Sequence, residues 1–320
     1  MIYISDKDMK QMNNNWDETV SCVEAAVWAI DKGDYSQPIK PYLRYRNRKN
    51  RIIAMPAYVG QDINATGIKW IASFPENITK GIPRANSVVV LNDVDTGVVK
   101  SIFNTSLISI IRTASVSGLM IKYYLKERKR KKINIGIIGL GPIGQYHCRM
   151  CCNLYGEIID KIFVYDKRNV SLNINNFGNK IEVLTNWNEV YEESDIFITC
   201  TVSDERYINE KPKEGNLLLN VSLRDYTNDI YEFVKDTIIV DDWDEVCRED
   251  TDIEQLYLYK GLQKSMVKSI ADVVCRGSIG IYKEKDSIMF NPMGMGVFDI
   301  AISQYYYEKA IKLGIGTELE

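Results

Sequence analysis

The stretch INIGIIGLGPIG, residues 133–144, decides the fold class of this chain. Its apolar part, INIGIIG (133–139), predicts a buried strand, and a helix is predicted to follow from Gly144 to Tyr155. Between them, the spacing Gly-x-Gly-x-x-Gly permits a tight turn, a close backbone approach to a pyrophosphate, and packing of the helix on the strand. The N–H groups at the start of the helix would receive the phosphates. The stretch therefore predicts a Rossmann-type dinucleotide site, with loop contacts from Gly139, Gly141, Pro142, Ile143 and Gly144.

Asp166 ends the next predicted strand, DKIFVYD (160–166), close to the spacing expected of a ribose-binding acid. A carboxylate there can accept hydrogen bonds from both ribose hydroxyls and would repel a 2′-phosphate, which favours NAD over NADP. The adjacent cations Lys167 and Arg168 argue in the opposite direction. We expect NAD as the cofactor, with Asp166 on its ribose.

The rest of the chain shows two different rhythms. After residue 133, apolar strands alternate with short helical segments, which predicts a parallel sheet with right-handed crossovers. Before it, a helix is predicted over residues 16–32, strands over 51–59 and 66–74, and two strands within 87–103 that are separated by a turn at 93–97. A helix is then predicted from Ser106 to about Lys126. A last helix, roughly residues 295–313, is expected to return to the N-terminal domain.

Composition limits the class of protein. The chain has 320 residues, 45% of them hydrophobic, which suggests two domains. With 26% charged residues and a net charge of −3, the balance favours neither nucleic-acid binding nor disorder, and we interpret the basic run 126–132 as a solvated helix end. We find no signal-peptide pattern, no apolar run long enough for a bilayer, and no disulfide framework among the seven cysteines. We expect a cytoplasmic protein without nucleic-acid or membrane partners.

His147 is the one histidine of the chain, which limits histidine-based catalysis and metal binding. It lies beside Cys148, Cys151 and Cys152, a spacing that is compatible with zinc or redox chemistry. The three cysteines also share the helix face that would pack on the sheet, where free cysteines behave as small hydrophobic residues. We favour packing and predict no metal site. A general acid or base is then expected to be a carboxylate or a lysine.

Several cations of the N-terminal domain lie in apolar or helix-start contexts. Lys69 lies between Ile68 and Trp70, and Arg112 lies in an otherwise apolar helix. Buried charges are costly unless they are paired, so each could form a structural salt bridge with an acid. Alternatively, they form a pocket for a substrate with several carboxylates, to which arginine offers a bidentate fork. The predicted substrate-binding residues are Lys40, Arg44, Arg51, Lys69 and Arg112.

Four segments, residues 67–75, 108–117, 139–144 and 291–300, resemble the ornithine cyclodeaminase/μ-crystallin family, and the resemblance covers most of the chain. It implies an α/β fold in which a Rossmann doubly wound parallel sheet is inserted into an α+β substrate-binding and dimerisation domain. The implied domains are residues 1–112 with 291–320 for substrate and dimerisation, and residues 113–290 for NAD. Members of the family are commonly homodimers, so we expect one here.

The resemblance also implies roles for individual residues. Lys69 and Arg112 match positions that bind the substrate carboxylate, and Asp225 lies near the position of a catalytic aspartate. Lys69 is an alternative catalytic base, because a desolvated lysine can have a lowered pKa. The remaining predicted cofactor contacts are Thr113, Ser117, Thr201, Ser222 and Met295.

Further segments, including residues 51–60 and 240–249, are similar to one branch of the family. That branch oxidises a glutamate Cα–N bond with NAD and releases 2,3-diaminopropionate and 2-oxoglutarate, for siderophore or antibiotic biosynthesis. Ornithine cyclodeaminases place a glutamate for the substrate ammonium where this chain has Ile53, and a cation-rich pocket without that acid favours a substrate with three carboxylates. The alternatives are an ornithine cyclodeaminase, a cyclic ketimine reductase, and a cofactor-binding protein of the μ-crystallin kind without turnover.

Overall fold

The computed structural model of this chain describes residues 1–168 and 180–320. The described chain folds into two compact units, unit 1 (Met1–Thr113 with Gly294–Glu320) and unit 2 (Ala114–Met293). The prediction placed the inserted domain at residues 113–290. Unit 2 therefore begins one residue later and ends three residues later than that prediction.

Unit 1 begins with a strand and two helices, continues through long strands, and receives the last helix of the chain. Its elements are β1 (Ile2–Ser5), α1 (Asp6–Gln11), α2 (Trp16–Asp31), β2 (Tyr35–Ser36), β3 (Tyr42–Leu43), β4 (Arg51–Val59), β5 (Ala65–Ser73), a 3-10 turn (Pro75–Lys80), β6 (Ala85–Asn92), β7 (Val99–Asn104), α3 (Leu107–Arg128), which continues into unit 2, α10 (Gly296–Leu313) and β16 (Thr317–Glu318).

The sheet of unit 1 has the order β16-β1-β7-β6-β5-β4-β2, with β3 also paired to β4. The long central strands β4 to β7 are antiparallel neighbours. Because side chains alternate between the faces of a strand, Met55, Lys69 and Val89, which pair across three strands, all point to the same buried face. Helix α10 packs on β4, β5 and β6, and α2 packs on α10. The core of unit 1 lies between this face and the two helices.

The opposite face of the same sheet is also apolar, although its side chains are only half-buried or exposed. Trp70 is 45% exposed and pairs with Ala54 and Val88, while Ile68 pairs with Pro56 and Val90. An antiparallel sheet with one face in water normally alternates apolar and polar residues. This face, which we call the open face, has instead the composition of a packed surface: Ala54, Pro56, Ile68, Trp70, Val88, Val90 and Ile102.

Helix α10 confirms the expectation that the last helix returns to the N-terminal domain. Its first eight residues, 296–303, are all buried, and the backbone N–H of Val297 donates to the Gln37 side chain. A Cβ on Gly296 would lie 3.3 Å from the Ala57 side chain, so the helix start lies directly on β4. An acidic residue in this first turn, Asp299, is therefore carried into the core.

Unit 2 alternates strands and helices, as the sequence predicts. Its elements after α3 are β8 (Ile133–Ile138), α4 (Pro142–Tyr155), β9 (Ile159–Tyr165), β10 (Ile181–Val183), α5 (Trp187–Glu193), β11 (Ile196–Thr199), β12 (Leu217–Asn220), α6 (Tyr231–Val234), β13 (Ile238–Val240), α7 (Trp243–Val246), α8 (Asp252–Lys260), β14 (Lys268–Ser269), α9 (Ile270–Arg276) and β15 (Ile288–Asn291), with 3-10 turns at Asn228–Ile230, Lys264–Met266 and Ser278–Ile281.

The sheet of unit 2 has the order β10-β9-β8-β11-β12-β15-β13-β14, and all of its pairings are parallel. This confirms the predicted Rossmann-type doubly wound sheet. The strand order reverses direction between β8 and β11, and ligands of such sheets bind at the carboxyl ends of the strands beside that point. Strand β15, which the sequence analysis did not identify, inserts between β12 and β13. Among the described residues, no helix is both long and apolar enough to cross a membrane.

Candidate functional site

The glycine loop of unit 2 fits a dinucleotide. Gly139 has φ +86°, and a Cβ there would lie 2.5 Å from the Cys200 backbone, so only glycine is tolerated without strain. A Cβ on Gly144 would lie 2.0 Å from the carbonyl oxygen of Gly139. A Cβ on Gly141 would instead enter open space, and no described side chain caps the start of α4 at this residue. The predicted loop thus leaves backbone and space for a pyrophosphate at a helix N-terminus.

Asp166 follows β9 and is held next to this loop. The N–H of Leu140 donates to its Oδ2 at 2.7 Å, and the N–H of Arg168 donates to its Oδ1 at 2.9 Å. The Arg168 guanidinium also donates from Nε to Oδ1 and from Nη2 to Oδ2, both at 3.1 Å. Hydrogen bonds to Arg168 and Leu140 lower the pKa of Asp166 despite its partial burial, which raises it. The carboxylate is therefore ionised and fixed beside the glycine loop.

Three residues predicted separately lie together at the ends of β11 and β12. Asp225 is fully buried, accepts a hydrogen bond from Thr201 Oγ1 at 2.6 Å, and accepts another from the Ser222 hydroxyl. Burial raises the pKa of Asp225, although these hydroxyls lower it in part. A raised pKa makes a carboxylate a stronger base, so the surroundings of Asp225 are compatible with the predicted catalytic role.

Asp252, which the sequence analysis missed, accepts hydrogen bonds from the segment that carries Asp225. Its side chain is 1% exposed and accepts from Asn220 Nδ2 at 3.0 Å and from Arg206 Nε at 2.8 Å. The same carboxylate accepts the backbone N–H groups of Asp225 and Tyr226. Burial raises the pKa of Asp252 to about 6. The buried Asn220 at the end of an apolar strand is the sequence signal that could have indicated such a network.

The imidazole of His147 is fully buried in unit 2, and both of its ring nitrogens have hydrogen-bond partners. Its Nδ1 lies 2.8 Å from the Ile143 carbonyl oxygen, and its Nε2 lies 2.8 Å from Ser117 Oγ. The carbonyl can only accept, so Nδ1 carries the proton and Ser117 donates to Nε2. Burial lowers the pKa of His147 to about 4. The hydroxyl proton of Ser117, a predicted cofactor contact, is therefore directed at this histidine in the structure.

The neighbouring cysteines lie on the packed side of α4. Cys148 and Cys151 are fully buried, and all seven cysteines are free thiols. Burial raises the pKa of Cys148 to about 12, so its thiol is protonated and inert. Among the described residues, no group of three or more histidine, cysteine or acidic side chains could hold a metal ion. Cys148 and Cys151 thus have the surroundings of core residues, whereas Cys152 is half-buried.

In unit 1, two of the predicted substrate-binding cations share one carboxylate. Lys69 Nζ lies 2.7 Å from Asp299 Oδ2, and Arg112 Nε lies 2.9 Å from Asp299 Oδ1. The exposed fractions of the Lys69 and Asp299 side chains are 1% and 0%. Asp299 was not predicted, although an acid within the apolar run of residues 297–302 is the same kind of signal that identified Arg112. Lys69 and Arg112 thus form buried salt bridges, which is one of the two alternatives that the sequence allows.

A third buried cation, Lys40, acts on the same site. Lys40 is also buried and donates to the Gly294 carbonyl at 2.9 Å, while a Cβ on Gly294 would lie 2.4 Å from Arg112 Nη1. Burial, together with the charges of Arg112 and Lys40, lowers the pKa of Lys69 to about 7, while Asp299 opposes the shift. We call this group of buried charged side chains, Lys40, Lys69, Arg112 and Asp299, the cation cluster.

The other predicted contacts lie elsewhere in unit 1. The guanidinium groups of Arg44 and Arg51 stack on the Tyr42 ring, with their Cζ atoms 5.0 and 5.7 Å from its centroid. Thr113 donates to the Ser109 carbonyl at 2.7 Å within α3. Met295 is buried and forms the N-cap of α10. Their roles toward substrate and cofactor stay predictions.

Comparison with known proteins agrees with this geometry. The model of the ornithine cyclodeaminase/mu-crystallin family matches residues 5–313. The chain is 32% identical to N-((2S)-2-amino-2-carboxyethyl)-L-glutamate dehydrogenase of Staphylococcus aureus, over 100% of this chain and 98% of the relative. It is 24% identical to a Delta(1)-pyrroline-2-carboxylate reductase of Bacillus thuringiensis, over 100% of both. The Thermococcus litoralis reductase of that name, solved with NADH and L-proline, has a TM-score of 0.89 at 23% identity, with 100% of both chains covered.

Proposed function

This chain belongs to the ornithine cyclodeaminase/mu-crystallin family, and from that premise we propose that it oxidises N-((2S)-2-amino-2-carboxyethyl)-L-glutamate with NAD. At the coarser level it is an NAD-dependent enzyme that acts on amino acids. The products of the proposed reaction are 2,3-diaminopropionate, 2-oxoglutarate and NADH.

One observation carries the choice of substrate: Lys40, Lys69 and Arg112 are three buried cations whose charges act on one another. Cations collected in this way favour a ligand with several carboxylates over a ligand with ammonium groups. Asp299 is bonded to Nε of Arg112, which leaves the two terminal nitrogens of the guanidinium to form a fork on a substrate carboxylate. The proposed conjugate has three carboxylates, whereas ornithine has one carboxylate and two ammonium groups.

Bound NAD supplies the acceptor for the hydride that leaves the glutamate Cα. The glycine loop would hold its pyrophosphate through backbone N–H groups at the start of α4. Asp166, whose Oδ2 accepts from the Leu140 N–H, would accept hydrogen bonds from the adenosine ribose. The family implies further contacts from Thr113, Ser117, Thr201, Ser222 and Met295.

Lys69 is our candidate for the group that takes the proton from the substrate amine. Burial lowers its pKa to about 7, so a large fraction of Lys69 is neutral at physiological pH and can accept a proton. Asp299, 2.7 Å away, orients the Nζ atom and stabilises it once it is protonated. Asp225 is the second candidate, because burial raises its pKa and thereby makes the carboxylate a stronger base.

The proposed reaction is balanced by one water molecule. Loss of hydride from Cα and of a proton from nitrogen converts the Cα–N bond to an imine. Water adds to this carbon, and cleavage of the C–N bond releases 2-oxoglutarate and the amine of 2,3-diaminopropionate. The net stoichiometry is one conjugate, one NAD⁺ and one water to one diaminopropionate, one 2-oxoglutarate, one NADH and one proton.

The test is an incubation of the protein with NAD and the synthetic conjugate, with NADH and 2-oxoglutarate measured in the same sample. Equal amounts of both products support the proposal. Arg112→Ala should abolish turnover and leave NADH affinity unchanged, because Arg112 is assigned to the substrate. Absence of both products from a protein that binds NADH would refute the proposed substrate.

A cyclic ketimine reductase is the second candidate function, favoured by the similarity over the full chain to pyrroline-2-carboxylate reductases. It would consume NADH on addition of Δ1-pyrroline-2-carboxylate and form no 2-oxoglutarate. An ornithine cyclodeaminase would instead release ammonia from ornithine without net NADH. A protein that binds NADH and turns over none of these compounds would be a binder of the μ-crystallin kind.

We also propose that the chain is a homodimer that pairs through the open face of unit 1. Apolar residues such as Ile68, Trp70 and Val90 would be buried by a second copy of the same face. Light scattering should give twice the mass of the chain for the wild type. Trp70→Glu should give a monomer of unchanged secondary structure, whereas a dimer of Trp70→Glu would contradict this interface.

A further inference from the structure

Arg168 covers the carboxylate that is assigned to the ribose. Its Nε and Nη2 atoms lie 3.1 Å from Oδ1 and Oδ2 of Asp166, in a fork that takes both oxygens. The Asp166 side chain is only 6% exposed, whereas the Arg168 side chain is 59% exposed. The acid is therefore fixed, and the arginine reaches it from the solvent side.

The four hydrogen bonds on Asp166 leave no room for the ribose. Two come from the backbone N–H groups of Leu140 and Arg168, and two come from the guanidinium. A carboxylate has about four acceptor positions, so both ribose hydroxyls can bind only where the guanidinium has left. The backbone bonds keep Asp166 in place when the exposed side chain of Arg168 moves. Binding of NAD thus requires an exchange of the guanidinium for the ribose diol.

We propose that Arg168 is a movable counter-ion of Asp166 that binds the 2′-phosphate of NADP, so that this site accepts NADP as well as NAD. A 2′-phosphate carries about −1.5 to −2 charges at neutral pH and would be repelled by an uncompensated Asp166. A guanidinium between the two anions neutralises the carboxylate and offers a second pair of N–H groups to the phosphate oxygens. The Arg168 side chain then leaves Asp166 when NAD binds, and lies between Asp166 and the 2′-phosphate when NADP binds.

The test compares the affinities of NADH and NADPH by calorimetry at fixed ionic strength, without any amino-acid substrate. Arg168→Ala should weaken the binding of NADPH by at least about tenfold. The affinity for NADH should stay the same or increase, because the ribose no longer displaces a guanidinium. Lys167→Ala is the matched control, since it also removes one positive charge, from the residue directly before Arg168. It should change the ratio of the two affinities by less than about threefold.

Two results would overturn the proposal. One is a ratio of affinities that is the same in Arg168→Ala and wild type, or that shifts equally in Lys167→Ala. The other is a wild-type protein that binds NADPH more than about a thousandfold more weakly than NADH, which would mean that Asp166 excludes the phosphate. Circular dichroism checks that the exposed substitution leaves the fold intact. Because binding is measured without substrate, the outcome does not depend on the proposed reaction.

Discussion

The glycine loop of unit 2 and the cation cluster of unit 1, the two proposed anion sites, are built in opposite ways. The loop has no charged side chain of its own and presents backbone N–H groups to open space beside Gly141. The cluster consists almost entirely of charged side chains, and its members are nearly inaccessible to solvent. The loop is contiguous in sequence, whereas the cluster joins residues 40, 69, 112 and 299. A site made of backbone is insensitive to distant substitutions, and a site made of buried charges depends on every member.

The largest effect is expected from Asp299→Asn, which removes the shared carboxylate of the cluster at almost constant volume. Lys69 and Arg112 would then be buried without a counter-ion, and breaking such a pair costs about 3–5 kcal/mol. Chemical denaturation measures the change. The control is Asp244→Asn, which breaks an exposed ion pair with Lys264 and should cost less than about 1 kcal/mol. A loss from Asp299→Asn as small as that of the control would show that the cluster does not need its acid.

Two alanine substitutions separate the roles of glycines within the loop. Gly139→Ala should destabilise the protein by about 2–3 kcal/mol, because the residue has φ +86° and its Cβ would overlap the Cys200 backbone. Gly141→Ala should leave stability unchanged, because φ is −66° and its Cβ meets open space. Gly141→Ala should nevertheless lower the affinity for NADH by about tenfold, since the methyl group would fill the space for the pyrophosphate. Unchanged NADH affinity in a stable Gly141→Ala protein would place the phosphates elsewhere.

Ser117→Ala distinguishes a structural from a cofactor role for this residue. The substitution leaves Nε2 of the buried His147 without its donor, which should cost about 1–3 kcal/mol of stability. NADH affinity should stay within about twofold of wild type if the hydroxyl serves only His147. Thr113→Ala, which removes only a bond within a helix, is the control for stability. A tenfold loss of NADH affinity without loss of stability would restore the phosphate role of Ser117.

The smallest effect is a pH dependence of the reaction that is absent from cofactor binding. Because burial lowers the pKa of Lys69 to about 7, the neutral base is lost as the pH falls through 7. For the proposed oxidation, kcat/KM should fall about tenfold per pH unit below 7 and level off above it. NADH binding, measured over the same range, should be nearly flat. A flat kcat/KM from pH 5.5 to 8 would remove Lys69 from the role of base.

The contrast between the two sites also explains which parts could be predicted from the sequence. The loop was predictable because Gly139, Gly141 and Gly144 act through local geometry, and the sequence contains all of that geometry in six residues. Lys69 and Arg112 were identified as unusual because each is a charge in an apolar segment. Their shared partner Asp299 was not, since the pairing exists only after α10 has packed on the sheet.

Strand β15 was missed for a related reason. Its residues, Ile288–Asn291, form a four-residue apolar run, too short to be recognised by periodicity. Tertiary pairing with β12 and β13 makes it a strand. The same limit applies to Asp252, whose importance comes from four donors that the fold collects around it.

The position of Asp299 near the end of the chain has a consequence for biosynthesis. Residues 114–293 form unit 2 as one continuous segment, which can fold while the ribosome is still translating the rest. Lys69 and Arg112 emerge earlier, yet their counter-ion is nearly two hundred residues away from Arg112 and follows the whole of unit 2. Unit 1 can therefore complete its folding only after α10 has left the ribosome, and Lys69 and Arg112 stay hydrated until then. Unit 2, which carries the glycine loop, is therefore expected to mature before unit 1.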